Sequence, residues 1–350
     1  MQLRFVVLSF LTLAGSALSQ TINSGLENVQ PVPDPVRTAP AGKVFHDRSI
    51  RDINAIGNRN IGCGRGFGNW YSLEKQIAMG KNLSAQVEST SKMVTDPEVT
   101  EYINRLGQNL VRNSDSLVPF TIKVVDSEDI NAFALPGGFF YVDSGLILSA
   151  DSEAELAGVM AHEIAHVAAC HVARQNTRGQ LMNMASIPLM MIGGPVGYAA
   201  YEGLNLAGPL TYLKFSRGFE SEADFLGVQY MYKAGYDPQA FTSFFEKVKE
   251  LERHKHSRVA KAFETHPQTP DRIEKTQKEI SDLLPPEVEY KVDTSEFQDI
   301  KARLDQLENR QRNNLEKGRP TLRRRSSGTD ESDPPTDDRR PTLEHRLLAQ

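Results

Sequence analysis

The sequence predicts an α+β fold, mostly α-helical, with a small antiparallel sheet. Two observations carry this: helical apolar periodicity recurs along residues 70–284 with start signals at several onsets, and the strand-like runs are confined to 120–142. Residues 70–91 and 96–113 read as amphipathic helices, the second opened by Thr95-Asp96-Pro97. Residues 120–125 alternate as a strand and 132–135 form a short one. Gly137-Gly138 then turns the chain into a third at 139–142. Residues 152–175 read as one long helix, capped by Asp151 or Ser152, with Glu153 and Glu155 complementing the dipole of its first turn. Further helices are expected at 216–233, 238–254 and 270–284.

The flanks differ from this core. Residues 1–19 carry one cation, Arg4, then an apolar run over 5–15 and small residues at Ala17 and Ser19. That pattern reads as a signal peptide removed after Ser19 rather than an uncleaved anchor, because so short a run falls below the roughly 20 residues a bilayer span needs. The mature chain is therefore expected to be exported, periplasmic or secreted. Residues 20–69 are rich in proline and then glycine and read as an arm outside the core. Residues 285–350 read as a charged, largely disordered tail: 301–350 alone hold 21 charged side chains and no aromatic.

The whole chain has 350 residues, is 39% hydrophobic and has a formal charge of −5, which excludes a polytopic membrane protein and gives nucleic acid nothing to bind. Two cysteines exclude a disulfide-rich scaffold and a thiol-rich metal cluster. Residues 181–210 stand apart, nearly uncharged and rich in methionine. Pro188 and Gly193-Gly194-Pro195 break any single span, so the stretch reads as a buried or substrate-covering hairpin with a peripheral membrane contact as the alternative.

Inside the long helix lies His162-Glu163-Ile164-Ala165-His166. Residues four apart share a face, so both imidazoles can hold one metal while Glu163 reaches a water on it. Zinc suits nitrogen donors and an open coordination position. The spacing excludes a metzincin, because Ala169 and Val172 stand where that class needs Gly and His. His171 is expected to point off the metal face into a polar surface role, and Cys170 lies too far along the axis to be a ligand. The third ligand falls in 216–224, where Glu220 and Asp224 share a face; periodicity does not choose Glu220 over Glu222.

These motifs resemble a known family. NAFALPGG at 131–138, HEIAH at 162–166, SRGFESEAD at 216–224 and THPQTPDRI at 265–273 occur in the order found in the gluzincin zinc metallopeptidases grouped with the CAAX prenyl endopeptidase, HtpX, Oma and BepA. The chain looks nearest to the soluble periplasmic BepA-like branch. The resemblance implies a zincin-like domain over 70–284 holding one zinc ion on His162, His166 and Glu220, with Glu163 as general base and Asp224 supporting the site. It also implies that His266 and Arg272 approach the metal, His266 as an oxyanion donor or as an occupant of the open position. It makes Asn131, Ala132, Phe133 and Ala134 the edge strand on which an extended peptide pairs.

The expected activity is cleavage of extended or misfolded envelope polypeptides, with no nucleic-acid partner. The rival is a chaperone-like binding protein with a mostly shut zinc site. No repeat period follows the peptidase motifs, so recruitment to an outer-membrane assembly machine does not carry over from BepA-like relatives. An oxidising compartment permits a Cys63–Cys170 disulfide tying the arm to the metal-binding helix.

Overall fold

A computed structural model of the chain describes residues 45–192, 215–254, 266 and 270–317. The expected signal peptide, the first part of the arm, residues 193–210 of the apolar stretch and the chain beyond 317 lie outside the described residues.

Helix α1 spans Leu73–Thr90, with Ser72 capping the Lys75 N–H. Helix α2, Pro97–Arg112, starts at proline behind Asp96, whose carboxylate accepts from the Val99 N–H. Val99, Ile103, Leu106 and Leu110 recur at helical spacing and are buried along one face. Strands β1 (Thr121–Val125), β2 (Ala132–Leu135) and β3 (Phe139–Asp143) follow. The Gly137-Gly138 turn between β2 and β3 takes φ of 78° and 90°, the left-handed region that a side chain resists.

The sheet is mixed, where an antiparallel one is expected. Strand order is β1-β3-β2, with β3 antiparallel to β2 and parallel to β1. Local alternation fixes which residues form strands but not their partners: β3 inserts between the other two, so β1 and β2 never pair. Strand β2 is thereby left on an edge beside the principal core helix.

After the short α3 (Ser144–Ser149), that helix is α4, Glu153–Ala168, capped by Ser152 and buried along almost its whole length. It is flanked by α6 (Arg217–Lys233), α7 (Gln239–His254), α2 and β2. Gly227 permits the close approach of α6: a Cβ there would lie 3.2 Å from the His162 backbone nitrogen.

The expected continuous helix over 152–175 is broken. Helix α4 ends at Ala168, Cys170 adopts a φ of 53°, and α5 begins afresh over His171–Ile192. Cys170 is joined to Cys63 by a disulfide, with Cα atoms 5.1 Å apart. Helix α5 also runs through Pro188, so proline does not end it there. Met182 and Met184 are exposed on it, so the described start of the expected buried or substrate-covering hairpin over 181–210 is helical and not buried at these two side chains. Among the described residues no single helix is long and apolar enough to cross a membrane; α4 and the first part of α5 reach that composition only as a bent pair.

Both flanks contribute to the core. In the arm, Ile53 and Ile61 are buried, and Arg59 pairs with Asp115 at 2.6 Å with both side chains removed from solvent. Gln229 and Tyr230 complete that polar knot at 2.7 and 3.0 Å, so a segment poor in apolar residues still belongs to the packed interior. At the other end, α8 covers Pro270–Leu283 and α9 covers Ser295–Lys317. Of the expected disordered tail over 285–350, residues 295–317 are thus helical. Phe297, Ile300 and Leu304 bury one stripe of α9, and Arg303 grips Asp96 with two 2.8 Å bonds.

Candidate active site

Three chain segments converge on the buried face of α4. Ser216 caps the Phe219 N–H and starts α6 so that Glu220 and Asp224, one turn apart, both face α4. His162 Nε2 and His166 Nε2 lie 3.1 Å apart, and Glu220 Oε2 and Oε1 stand 3.5 and 3.6 Å from them. His266 completes the group, its Nδ1 being 2.9 Å from Glu220 Oε1 and 3.5 Å from His162 Nε2. One donor atom from each of these four buried residues lies within 4.8 Å of the others. Nitrogen and carboxylate donors facing one another in a dry interior, three of them imidazoles, fit zinc: the donor set has the right chemistry and the approach is close enough for one ion.

The converging atoms of this group are held from behind. Asp224 Oδ1 is 3.1 Å from His162 Nδ1, and Arg272 clamps Asp224 with its Nε 2.7 Å from Oδ2. The same guanidinium places Nη1 2.9 Å from Glu220 Oε2. Arg272 therefore stands one layer behind the donor atoms, joining the two carboxylates of α6. Burial alone would disfavour charge here. At Asp224 the contacts from His162 and Arg272 outweigh it and hold the carboxyl low; at Glu220 His162 and His266 do the same. Burial works against a charged His162 too, yet Asp224 and Glu220 push its pKa up to about 9.

Glu163 sits beside the donor group and outside it. Its Oε2 accepts from the Ala134 backbone N–H at 3.2 Å, and its Oε1 lies 3.5 Å from His266 Nε2. Burial raises its pKa, with the neighbouring His266 and His162 opposing the rise. Asn131 accepts from the Asp143 N–H, and Phe133 pairs with Tyr141 on β3, so alternation turns the main-chain groups of Ala132 and Ala134 to the open edge, toward Glu163.

Sequence reasoning did not anticipate the places of His171, Glu222 and Phe215 in this neighbourhood. His171, expected on the surface, is completely buried, with Nδ1 2.9 Å from His166 Nδ1. Glu222, on the other face of α6, lies 3.4 Å from His171 Nε2. On an unbroken helix a residue five positions after His166 points away; the break at Cys170 returns it. Phe215, just before α6, also stacks on His166 with ring centroids 4.2 Å apart.

The model of peptidase family M48 matches residues 95–280, which include His162, Glu163, His166, Glu220, Asp224, His266 and Arg272. The chain is 33% identical over 260 residues to the beta-barrel assembly-enhancing protease of Escherichia coli K12, covering 72% of this chain and 53% of the relative. It is 32% identical over 217 residues to the metalloprotease LoiP of the same organism, covering 60% of this chain and 83% of the relative. Against the mitochondrial metalloendopeptidase OMA1 of Schizosaccharomyces pombe it is 29% identical over 233 residues, 64% of each chain. The match to the beta-barrel assembly-enhancing proteases of Yersinia pestis and E. coli spans about half of their length.

Proposed function

The chain belongs to peptidase family M48, and from that premise we propose that it is a zinc-dependent metalloendopeptidase acting on extended or misfolded polypeptides of the cell envelope. The carrying observation is the buried group of His162, His166, Glu220 and His266 within 4.8 Å, with Glu163 beside it and hydrogen-bonded to the edge strand.

In this reading one zinc ion is held by His162, His166 and Glu220. When bound, zinc supplies Lewis-acid polarisation of the scissile carbonyl and lowers the pKa of water. Ala134 N–H fixes Glu163 Oε2 and leaves Oε1 to take a proton from the attacking water and pass it to the leaving amine. Asp224 keeps the His162 ring aimed, and Arg272 keeps Asp224 and Glu220 charged in the dry interior. The substrate main chain extends β2 at its open edge along Asn131, Ala132, Phe133 and Ala134.

Export follows from the signal pattern of residues 1–19 and is supported by the name of the E. coli relative, an enhancer of β-barrel assembly. An extracytosolic site also suits the Cys63–Cys170 bond. Quality control of misfolded envelope proteins is the role that joins these features.

A second reading is favoured by one observation, the 2.9 Å approach of His266 Nδ1 to Glu220 Oε1 among the metal-facing atoms. There His266 fills the open coordination position and keeps the peptidase shut in a protein that chiefly binds its clients. Casein digestion by the purified chain tests the first reading: it stops on chelation and returns with zinc, whereas digestion indifferent to chelators refutes it.

A further inference from the structure

The zinc reading leaves one buried polar chain without a task. His171 is wholly buried, its Nδ1 2.9 Å from His166 Nδ1 and its Nε2 facing Glu222 Oε2 at 3.4 Å. Arg174 donates to Glu222 Oε1 at 3.0 Å and to the Ala169 carbonyl at 3.2 Å, tying this group to the end of α4. Phe219 stacks on the His171 ring at 4.5 Å.

The chemistry gives the chain a direction. An imidazole that binds a cation through Nε2 carries its proton on Nδ1, and at His166 that proton points at His171. His171 accepts it only with its own proton on Nε2, the side of Glu222. Arg174 then balances the Glu222 charge. The arrangement parallels the other ligand: His162 is backed by Asp224 and closed by Arg272, while His166 is backed by His171 and Glu222 and closed by Arg174.

We infer that His171 is a positioning residue that fixes the orientation and tautomer of His166, with Glu222 and Arg174 holding it in place. This rests on the reading of His162, His166 and Glu220 as zinc ligands. The break between α4 and α5 has a purpose in this light: the left-handed turn at Cys170, tied to Cys63, sets the first residue of α5 behind His166.

Zinc affinity of the purified full chain, read by competition with a chromogenic chelator, tests it alongside a thermal melt of the metal-free protein. The chains compared are wild type, Glu220→Gln, His171→Leu, His171→Asn and Glu222→Gln. Asparagine offers an amide oxygen near the place of Nδ1 and keeps an acceptor for the His166 proton. His171→Leu should bind zinc about 10- to 100-fold more weakly, and His171→Asn should stay within about threefold of wild type. Glu222→Gln, at a side chain 22% exposed and so tolerant of change, should lose about threefold or more. Unchanged affinity in His171→Leu or Glu222→Gln overturns the inference. So does equal loss in His171→Leu and His171→Asn, which would mean that His171 only packs. Wild type binding zinc no tighter than Glu220→Gln overturns the ligand reading itself, and this inference with it.

Discussion

Arg272 holds Asp224 through two parallel bonds, Nε to Oδ2 at 2.7 Å and Nη2 to Oδ1 at 2.6 Å, in the interior behind His162. A carboxylate removed from water in this way depends on its partner for its charge. Asp224 in turn lies 3.1 Å from His162 Nδ1, so the pair links α8 to the four-residue donor group on α4.

Replacing Arg272 by Ala leaves two buried carboxylates, Asp224 and Glu220, short of their cation. The cost expected for such an uncompensated charge is about 3 to 5 kcal/mol, read by urea unfolding of the chelated protein. Arg272→Lys should recover only part of it, because an ammonium cannot make the fork. A loss below about 1 kcal/mol in Arg272→Ala would show that the clamp is dispensable.

The approach of His266 to Glu220 predicts the behaviour of a second variant. On the second reading, in which His266 occupies the open position, His266→Ala should raise casein turnover by several-fold at saturating zinc. A fall in turnover instead assigns His266 to stabilising the oxyanion of the reaction.

Asp143 provides a test of pH dependence away from the metal. It ends β3, is 5% exposed, and is pushed up to about 7 by burial and, secondarily, by Asp129. Between the ordinary carboxylate range and that value the folded chain keeps a proton that the unfolded chain has released. Stability therefore falls as pH rises across this window, by at most about 4 kcal/mol from this group. Asp143→Asn should flatten the slope between pH 4.5 and 8 and gain most at pH 8, measured by urea unfolding of the chelated protein. Glu279, also raised to about 7 by burial, adds a slope of the same sign that the comparison with wild type cancels. A variant with an unaltered slope would contradict the assignment.

The C-terminal helix makes a claim about the extent of the domain. Phe297 is fully buried between α9 and α2, where its ring lies 6.3 Å from that of Tyr102. Phe297→Ala should cost about 3 to 5 kcal/mol, and a chain ending before Ser295 should lose cooperative unfolding. An unchanged denaturation midpoint in both would return this region to a dispensable tail.

What could be read from the sequence was local. Asp96 marks a helix start, and Asp151 or Ser152 another, because a cap is a contact over three residues, and the HEIAH spacing puts two imidazoles on one face whatever the fold. Glu220 needed the family motif, since periodicity offered Glu222 equally. The remainder was set by distant partners. His171 reaches His166 only because Cys170 turns left-handed beside its bond to Cys63, 107 residues away. The mixed sheet depends on β3 entering between β1 and β2. The packing of α9 was obscured because its Phe297, Ile300 and Leu304 stripe runs into the highly charged segment that follows.

The central claim is that Glu163 moves the proton at a zinc site built from His162, His166 and Glu220. The direct measurement is zinc content and casein cleavage of wild type and Glu163→Gln side by side. The amide should keep zinc at the wild-type ratio, because Glu163 stands outside the donor group, and should lower cleavage by roughly a hundredfold or more. Undiminished cleavage by Glu163→Gln at full zinc content would contradict the account.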